Sequence, residues 1–387
     1  IYFGVEQLNM RTRSAQSFYL SDIKEVSGIC KRNGIKAYIT LNTVMYEHDM
    51  QLLQLILKEA KKAKIDAVIA ADFAVIEYCS QHGIPLHIST QANVSNIESV
   101  KFFSRFADVI VLARELTLKQ VKEIADEIKR KKIKGPSGEL VKIEIFVHGA
   151  LCMAVSGKCY LSLHTQHASA NRGACVQNCR RPYIVKDAET GEELMVDNEY
   201  IMSPKDLCTI DILDQVMESG AEVLKIEGRT KGAEYVQVVT QCYREAIESV
   251  NDGTYSRGKV VEWKREMEKV YNRGFWEGYY LGRKLGEWTP HPGSAATEKK
   301  IYIGKGTKYY PKILVGEFIL ESGSLKAGDT LMVIGPKCGM VKEIVTNLII
   351  NGTSGKEAVK GDKITFPFAT KITPADKLYK IVGTSHA

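Results

Sequence analysis

The chain has 387 residues, 44% of them hydrophobic, with 53 Lys and Arg against 46 Asp and Glu for a net charge of +7. That length and apolar content suffice for two domains, and no apolar run approaches the ~20 residues of a membrane-spanning helix, so no membrane partner is expected. Nine cysteines, an odd number in so long a chain, exclude a disulfide-stapled mini-fold and point to a reducing, cytoplasmic compartment with thiols available for a metal or for catalysis.

The chain opens on Ile1-Tyr2-Phe3-Gly4, already strand-like. To about residue 230, short apolar strands alternate with amphipathic helices. Strands are predicted at 1–3, 36–41, 66–71, 86–90, 108–113, 141–147 and 222–226, and helices at 20–33, 49–64, 73–82, 95–105, 117–132 and 205–219. Val, Ile and Ala dominate the strands with little alternation, as expected where both faces are buried. Regular β-then-α repetition predicts an α/β fold with a parallel sheet covered by helices. Seven strands are counted. A TIM-like (β/α)8 barrel over 1–290 takes one more, expected ahead of Tyr2. Chemistry in such a barrel sits at the carboxyl ends of the strands. The residues there are Asn42, Asp72, Gln91 with Asn93, Arg114 with Glu115, His148, and Glu227 with Arg229. Singly, each is a capping or loop-bracing side chain, and His148 just past its strand reads as a hydrogen-bonded scaffold residue. As a ring of amides, carboxylates and guanidiniums on one mouth they predict a polar substrate pocket.

Beyond the sixth strand, where Val141, Ile143, Ile145 and Val147 alternate with Lys142, Glu144 and Phe146, some fifty residues show no clear helix or strand. A loop that long in a compact domain is functional or disordered, and Cys-rich, acid-poor 148–200 does not have a disordered composition. Its thiols are spaced Cys152-x6-Cys159-x15-Cys175-x3-Cys179, and Cys208 follows in Ser203-Pro204-Lys205-Asp206-Leu207-Cys208. Thiolates suit zinc or an iron–sulfur cluster, but the spacing is not that of a C-x2-C zinc ribbon. Three readings stay open on the residues alone: a metal or cluster site, buried structural thiols, or a nucleophilic cysteine. Lys158, Arg172, Arg180 and Arg181 would lower nearby thiol pKa values in either reactive case. No H-E-x-x-H, G-x-S-x-G or phosphate-binding loop signature occurs.

A strong helix is predicted over 231–250, with Cys242 on its apolar face as a core residue. A Gly- and aromatic-rich loop follows from Asn272, and a linker from His291 marks the domain boundary. Residues 297–387 hold fourteen Lys, no Arg and eight acidic residues, a net of +6, leaving +1 for the rest. A basic appendage on a neutral body fits a module that meets polyanions; a solvated, solubilising face is the plainer reading. Short strands punctuated by Gly-Asp turns predict a small antiparallel β-barrel. Gly323-x-Leu325-x-x-Gly328-Asp329 and Lys360-Gly361-Asp362 resemble the second domain of translation elongation factors.

Glu144-x-Phe146-x2-Gly149-Ala150-Leu151-Cys152-x4-Gly157-x-Cys159-x-Leu161-Ser162 resembles the signature of the peptidase U-32 family. The likeness extends through Ser89 to Asn93, Asn171 to Cys175 with Cys179-Arg180, Ser203 to Cys208, Leu224 to Arg229 and Asn272 to Phe275, and so covers essentially the whole chain. The family name records a collagenase assignment. Other members resemble prephenate-dependent hydroxylases with a 4Fe–4S cluster, acting on the wobble uridine of tRNA to give 5-hydroxyuridine, on ribosomal RNA or on ubiquinone precursors. Size and tail make this chain most similar to the tRNA branch. The resemblance implies cluster thiolates on Cys152, Cys159, Cys175 and Cys208, with Cys179 a fifth candidate, and zinc as the alternative metal. It implies co-substrate binding by Arg114, Arg180, Gln91 and Asn93, with Arg229 another partner for prephenate carboxylates. Glu227 and His148 are the candidate proton-handling groups. Partners implied are tRNA, held by the basic tail, and an electron donor or iron–sulfur assembly proteins. Two competing functions are a peptidase, which would need the same cysteines as nucleophiles, and a tRNA-binding module without catalysis.

Overall fold

Seven strands run parallel and each pairs with the next. They are β1 (Tyr2–Gly4), β2 (Tyr38–Leu41), β3 (Ala67–Ala70), β4 (Leu86–Ile88), β5 (Val109–Val111), β6 (Lys142–Gly149) and, after a short antiparallel strand β7 (Asp206–Cys208), β8 (Val223–Ile226) beside β6. Strands β3, β4 and β5 are buried throughout, because helices cover their outer face and the sheet's own side chains fill the inner one. Helices α1 (Ile23–Arg32), α2 (Met50–Lys62), α3 (Phe73–Gln81), α4 (Ile97–Phe103) and α5 (Leu118–Lys131) connect the strands. In α2, Leu53, Ile56, Leu57 and Ala60 are buried at the spacing of one helical face. Asp72 caps α3 by accepting from Ala74 N, and Thr117 with Gln120 forms a capping box on α5.

The computed structural model describes residues 1–12, 18–184, 186–193, 202–282, 286–290, 293–336 and 338–384. Part of the cysteine loop and the start of the predicted linker, His291 with Pro292, lie outside them. Among the described residues no helix is long and apolar enough to cross a membrane. The chain divides into two units, one of Ile1–Lys231, Tyr243–Val260 and Arg273–Ser294, the other of Gly232–Cys242, Val261–Asn272 and Ala295–Ala387. The sheet above belongs to the first.

One predicted helix is corrected. Over 205–219 the structure has β7 first, and α7 begins only at Leu213 (Leu213–Glu218). Leu207 and Cys208 are 3% and 2% exposed and pair antiparallel to Gly149 and His148, while Asp206 and Leu207 pair parallel to β9 (Phe275–Trp276). Tertiary strand pairing thus overrides the local Pro-x-Asp helix-start signal. The cysteine loop also contains a short helix, α6 (Leu161–Gln166).

In the second unit, the strands from 298 to 383 form an antiparallel sheet, with a separate ladder between Ser324–Lys326 and Glu357–Val359. Its core centres on Phe318, stacked on Phe366 at 5.0 Å with Phe368 edge-on at 6.0 Å. The Gly-Asp turns act as predicted: Asp329 accepts from Lys326 N and Asp362 from Val359 N, while Gly328 and Gly361 take the positive φ values.

Candidate active site

Parallel strands deliver their carboxyl ends to one face, and there a cavity of about 320 Å³ opens, walled by Tyr2, Thr40, Asn42, Gln91, Arg114, Phe146, Lys225, Glu227 and Arg229. The cysteine loop supplies the opposite wall, through Cys152, Gly157, Cys159, Cys175 and Cys179. Two glycines let these parts approach. Gly149 has φ +112°, and a Cβ there would lie 2.6 Å from the Glu227 carbonyl oxygen. At Gly157, φ +74°, a Cβ would collide with Gln91 Oε1.

Glu227 is the carboxylate facing the cavity. It accepts from the Tyr2 hydroxyl at 3.1 Å and pairs with Arg11 at 3.5 Å. Burial pushes its pKa up, but Arg11, Arg229 and Arg114 outweigh that and hold it below the usual carboxylate value. It therefore stays ionised at neutral pH. Arg229 bonds Asn9 and the Thr40 hydroxyl, while the Arg114 guanidinium lies 3.9 Å over the Phe146 ring and donates to Ala150 O. Arg114 Nε and Gln91 Oε1 are buried without a hydrogen-bond partner. Lys225 reaches Glu144 at 2.6 Å, and Glu144 in turn lies 3.6 Å from His87. Burial raises the Glu144 pKa, yet Lys225 and His87 bring it down to about 2. Four cations (Arg11, Arg114, Lys225, Arg229) thus face two carboxylates (Glu144, Glu227), an excess of two positive charges.

Four thiols share the cavity wall. Burial pushes the Cys179 thiol up, Arg180 opposes this, and the charges of Cys152, Cys175 and Cys159 push it further. Cys152, Cys159 and Cys175 are thus each within electrostatic reach of Cys179. Among the described residues, no three His, Cys, Asp or Glu side chains are placed to hold a single metal ion. The loop is braced by Arg180, which donates to Leu151 O and Pro204 O, both at 2.6 Å, and to Ser203 Oγ at 2.9 Å.

Several predicted site residues sit elsewhere. Cys208 does not line the cavity; it is buried on β7, 3.9 Å from the Tyr243 hydroxyl. His148 is 1% exposed, its ring packed against Tyr243 and Phe275, and burial with the charge of Lys231 lowers its pKa to about 3. A neutral, enclosed imidazole is scaffold and is not placed to carry protons. Arg180 spends its donors on backbone and Ser203, away from the cavity. Asn93, at φ +52°, ties Gln91 O to Ser156 O and so orients the loop from outside the wall. Asp72 is a helix cap that also accepts from Met45 N. Gln91, Arg114, Glu227, Arg229 and four cysteines are brought together. Sequence reasoning missed Arg11 and Lys225. Arg11 lies in a segment without periodicity, but Lys225, a cation inside a buried strand pattern, was a readable signal.

Comparison with known proteins places this geometry. The pattern described as Peptidase family U32 matches residues 1–290. A protein named collagenase from Porphyromonas gingivalis is 50% identical over 98% of this chain and 92% of its own length. The tRNA hydroxylation protein P1 of Bacillus subtilis is 32% identical over 73% of this chain and 66% of its own. A 23S rRNA 5-hydroxycytidine synthase of Escherichia coli is also 32% identical, over 73% of this chain and 42% of its own. With its cysteine loop and strand-end charges inside the matched region, this chain belongs to peptidase family U32.

Proposed function

We propose that this chain is an RNA-modifying enzyme that hydroxylates the wobble uridine of tRNA at carbon 5, with prephenate as co-substrate and a 4Fe–4S cluster at the cavity wall. The observation that carries the reading is the juxtaposition of four thiols with a cavity of net positive lining. A single zinc ion needs ligands about 2.0–2.3 Å from one point, and no three candidate groups among the described residues offer that. A cubane binds each thiolate through a different iron, so separated thiols fit it better. Cys152, Cys159, Cys175 and Cys179 would hold the cluster, which when bound would supply electron-transfer chemistry. The protein's own groups supply the rest. Arg114 and Arg229 suit the two carboxylates of prephenate, because guanidinium forks match carboxylate geometry. Arg11 fixes Glu227 as an anion that can accept a proton at neutral pH. The base would enter unpaired, since a cavity of about 320 Å³ admits one base and not a duplex. The seven parallel strands are consistent with the (β/α)8 barrel, and the lysine-rich tail with phosphate contacts: of its fourteen lysines, Lys300, Lys305, Lys342 and Lys380 lie in ion pairs among the described residues.

The resemblance to collagenase-named proteins makes peptide hydrolysis the second reading. A cysteine nucleophile is commonly activated by a histidine base within hydrogen-bond reach, and otherwise by a lowered thiol pKa. Among the described residues no histidine lines the cavity. The deciding experiment is anaerobic purification with iron and sulfide assay, followed by incubation with prephenate and tRNA lacking the modification. Gain of one oxygen on the wobble uridine by mass spectrometry is expected. Metal-free protein that cleaves gelatin and leaves tRNA unchanged would replace this reading with the peptidase one.

A further inference from the structure

Outside the cavity, three aromatic side chains stand unusually open for their size: Tyr46 is 51% exposed, Phe73 69% and Tyr160 69%. They come from three different segments that the fold draws to one rim. Tyr46 follows β2 and Phe73 follows β3, and Met45 N donates to Asp72 at 2.9 Å, so the two loops are tied beside each other. Tyr160 follows Cys159, whose N–H donates to Asn171 Oδ1, while Asn171 O accepts from Val44 N. Arg172, next in sequence, lies 4.0 Å over the Tyr46 ring and is held there by Asp49 and by Val44 O. Asn171 and Cys159 also line the cavity, so this rim is continuous with it.

Three large rings left open around a cavity mouth call for an occupant. Charge identifies its class. From 148 to 184 the loop carries Lys158, Arg172, Arg180 and Arg181 and no Asp or Glu. Across the rim Arg172 is paired with Asp49 and Glu47 beside Tyr46 is exposed, so the positive excess lies on the loop side, through Lys158 and Arg181, and an anionic chain is favoured there. Flat rings beside a guanidinium stack unpaired bases, whereas the bases of a duplex are already stacked on each other.

We infer that Tyr46, Phe73 and Tyr160 form a stacking platform for the unpaired nucleotides that flank the modified base, with Arg172 beside the backbone phosphate. This rests on the RNA reading above and adds to it the surface that selects loop over duplex. The test uses the full chain purified anaerobically, with Tyr46→Ala, Phe73→Ala and Tyr160→Ala made singly and together. Binding is read by fluorescence anisotropy against a hairpin RNA with an unpaired loop and against a blunt duplex of equal length. Each loss of a ring is expected to weaken hairpin binding roughly fivefold or more and to leave duplex binding unchanged. Phe73→Trp should retain the parent affinity. All three sites are exposed, so melting temperatures should match the parent. Hairpin affinity unchanged in the triple variant overturns the platform while leaving the RNA reading in place. A parent chain that binds neither RNA but holds gelatin through these rings overturns both.

Discussion

Replacing Lys225 with Met tests the charge arrangement at the base of the cavity. Glu144 is 4% exposed and its carboxylate is 2.6 Å from Lys225 Nζ. Removing one partner of a buried pair leaves an uncompensated charge, which costs about 3–5 kcal/mol. The pKa supports the same size: a carboxyl held at about 2 against the ordinary 4.5 corresponds to about 3 kcal/mol of preference for the charged form. Because the folded pKa is depressed, that contribution is present above about pH 4.5 and is lost as pH falls toward 2. At roughly 2–4 °C per kcal/mol for a unit of this size, Lys225→Met should melt about 6–20 °C below the parent at pH 7. The deficit should narrow as pH approaches 4.5, since burial will then protonate Glu144. Adding Glu144→Gln should recover more than half of the loss. Thermal melts followed by circular dichroism at pH 7 and 5 read the parent and both variants. A single variant that melts with the parent, or a double variant no better than the single, would refute a buried pair at this position.

Two further outcomes follow from residues that the fold removed from the cavity. His148 titrates near 6.5 when unfolded and at about 3 when folded. Stability is therefore full above pH 6.5 and falls as pH drops, by about 2 kcal/mol at pH 5; His148→Gln should flatten that slope in urea titrations, and an unchanged slope would place the imidazole in a more open environment. Under the cluster reading, Cys208→Ala should keep the parent's iron content and visible absorption, whereas Cys159→Ala should lose both. Iron lost from the Cys208 variant would show that the thiol on β7 and not one of the four on the cavity wall completes the set.

The strand–helix order was legible because β3, β4 and β5 are uninterrupted apolar runs, and burial on both faces of a parallel sheet requires such runs. Gly328-Asp329 and Gly361-Asp362 were legible for the same kind of reason, since a turn's backbone geometry is a local property of its residues. The cysteine cluster and the strand-end ring of Gln91, Arg114, Glu227 and Arg229 could be picked out by residue type and position.

Which of these face one another was decided only in three dimensions. Residues 206–208 carry a helix-start pattern, yet they form a strand because ladder bonds to β6 and β9 are available only once both are in place. That pairing buries Cys208 beside Tyr243, and it does not line the cavity. His148 and Glu227 lie at or just past the ends of neighbouring parallel strands, but one is enclosed by aromatic rings and the other meets Tyr2 and Arg11. Arg11 reaches Glu227 across more than two hundred residues of chain, a contact that no local pattern encodes. Periodicity and turn chemistry are local and so are written in the sequence; charge pairing across the cavity depends on loop closure between distant segments, and only the folded chain determines it.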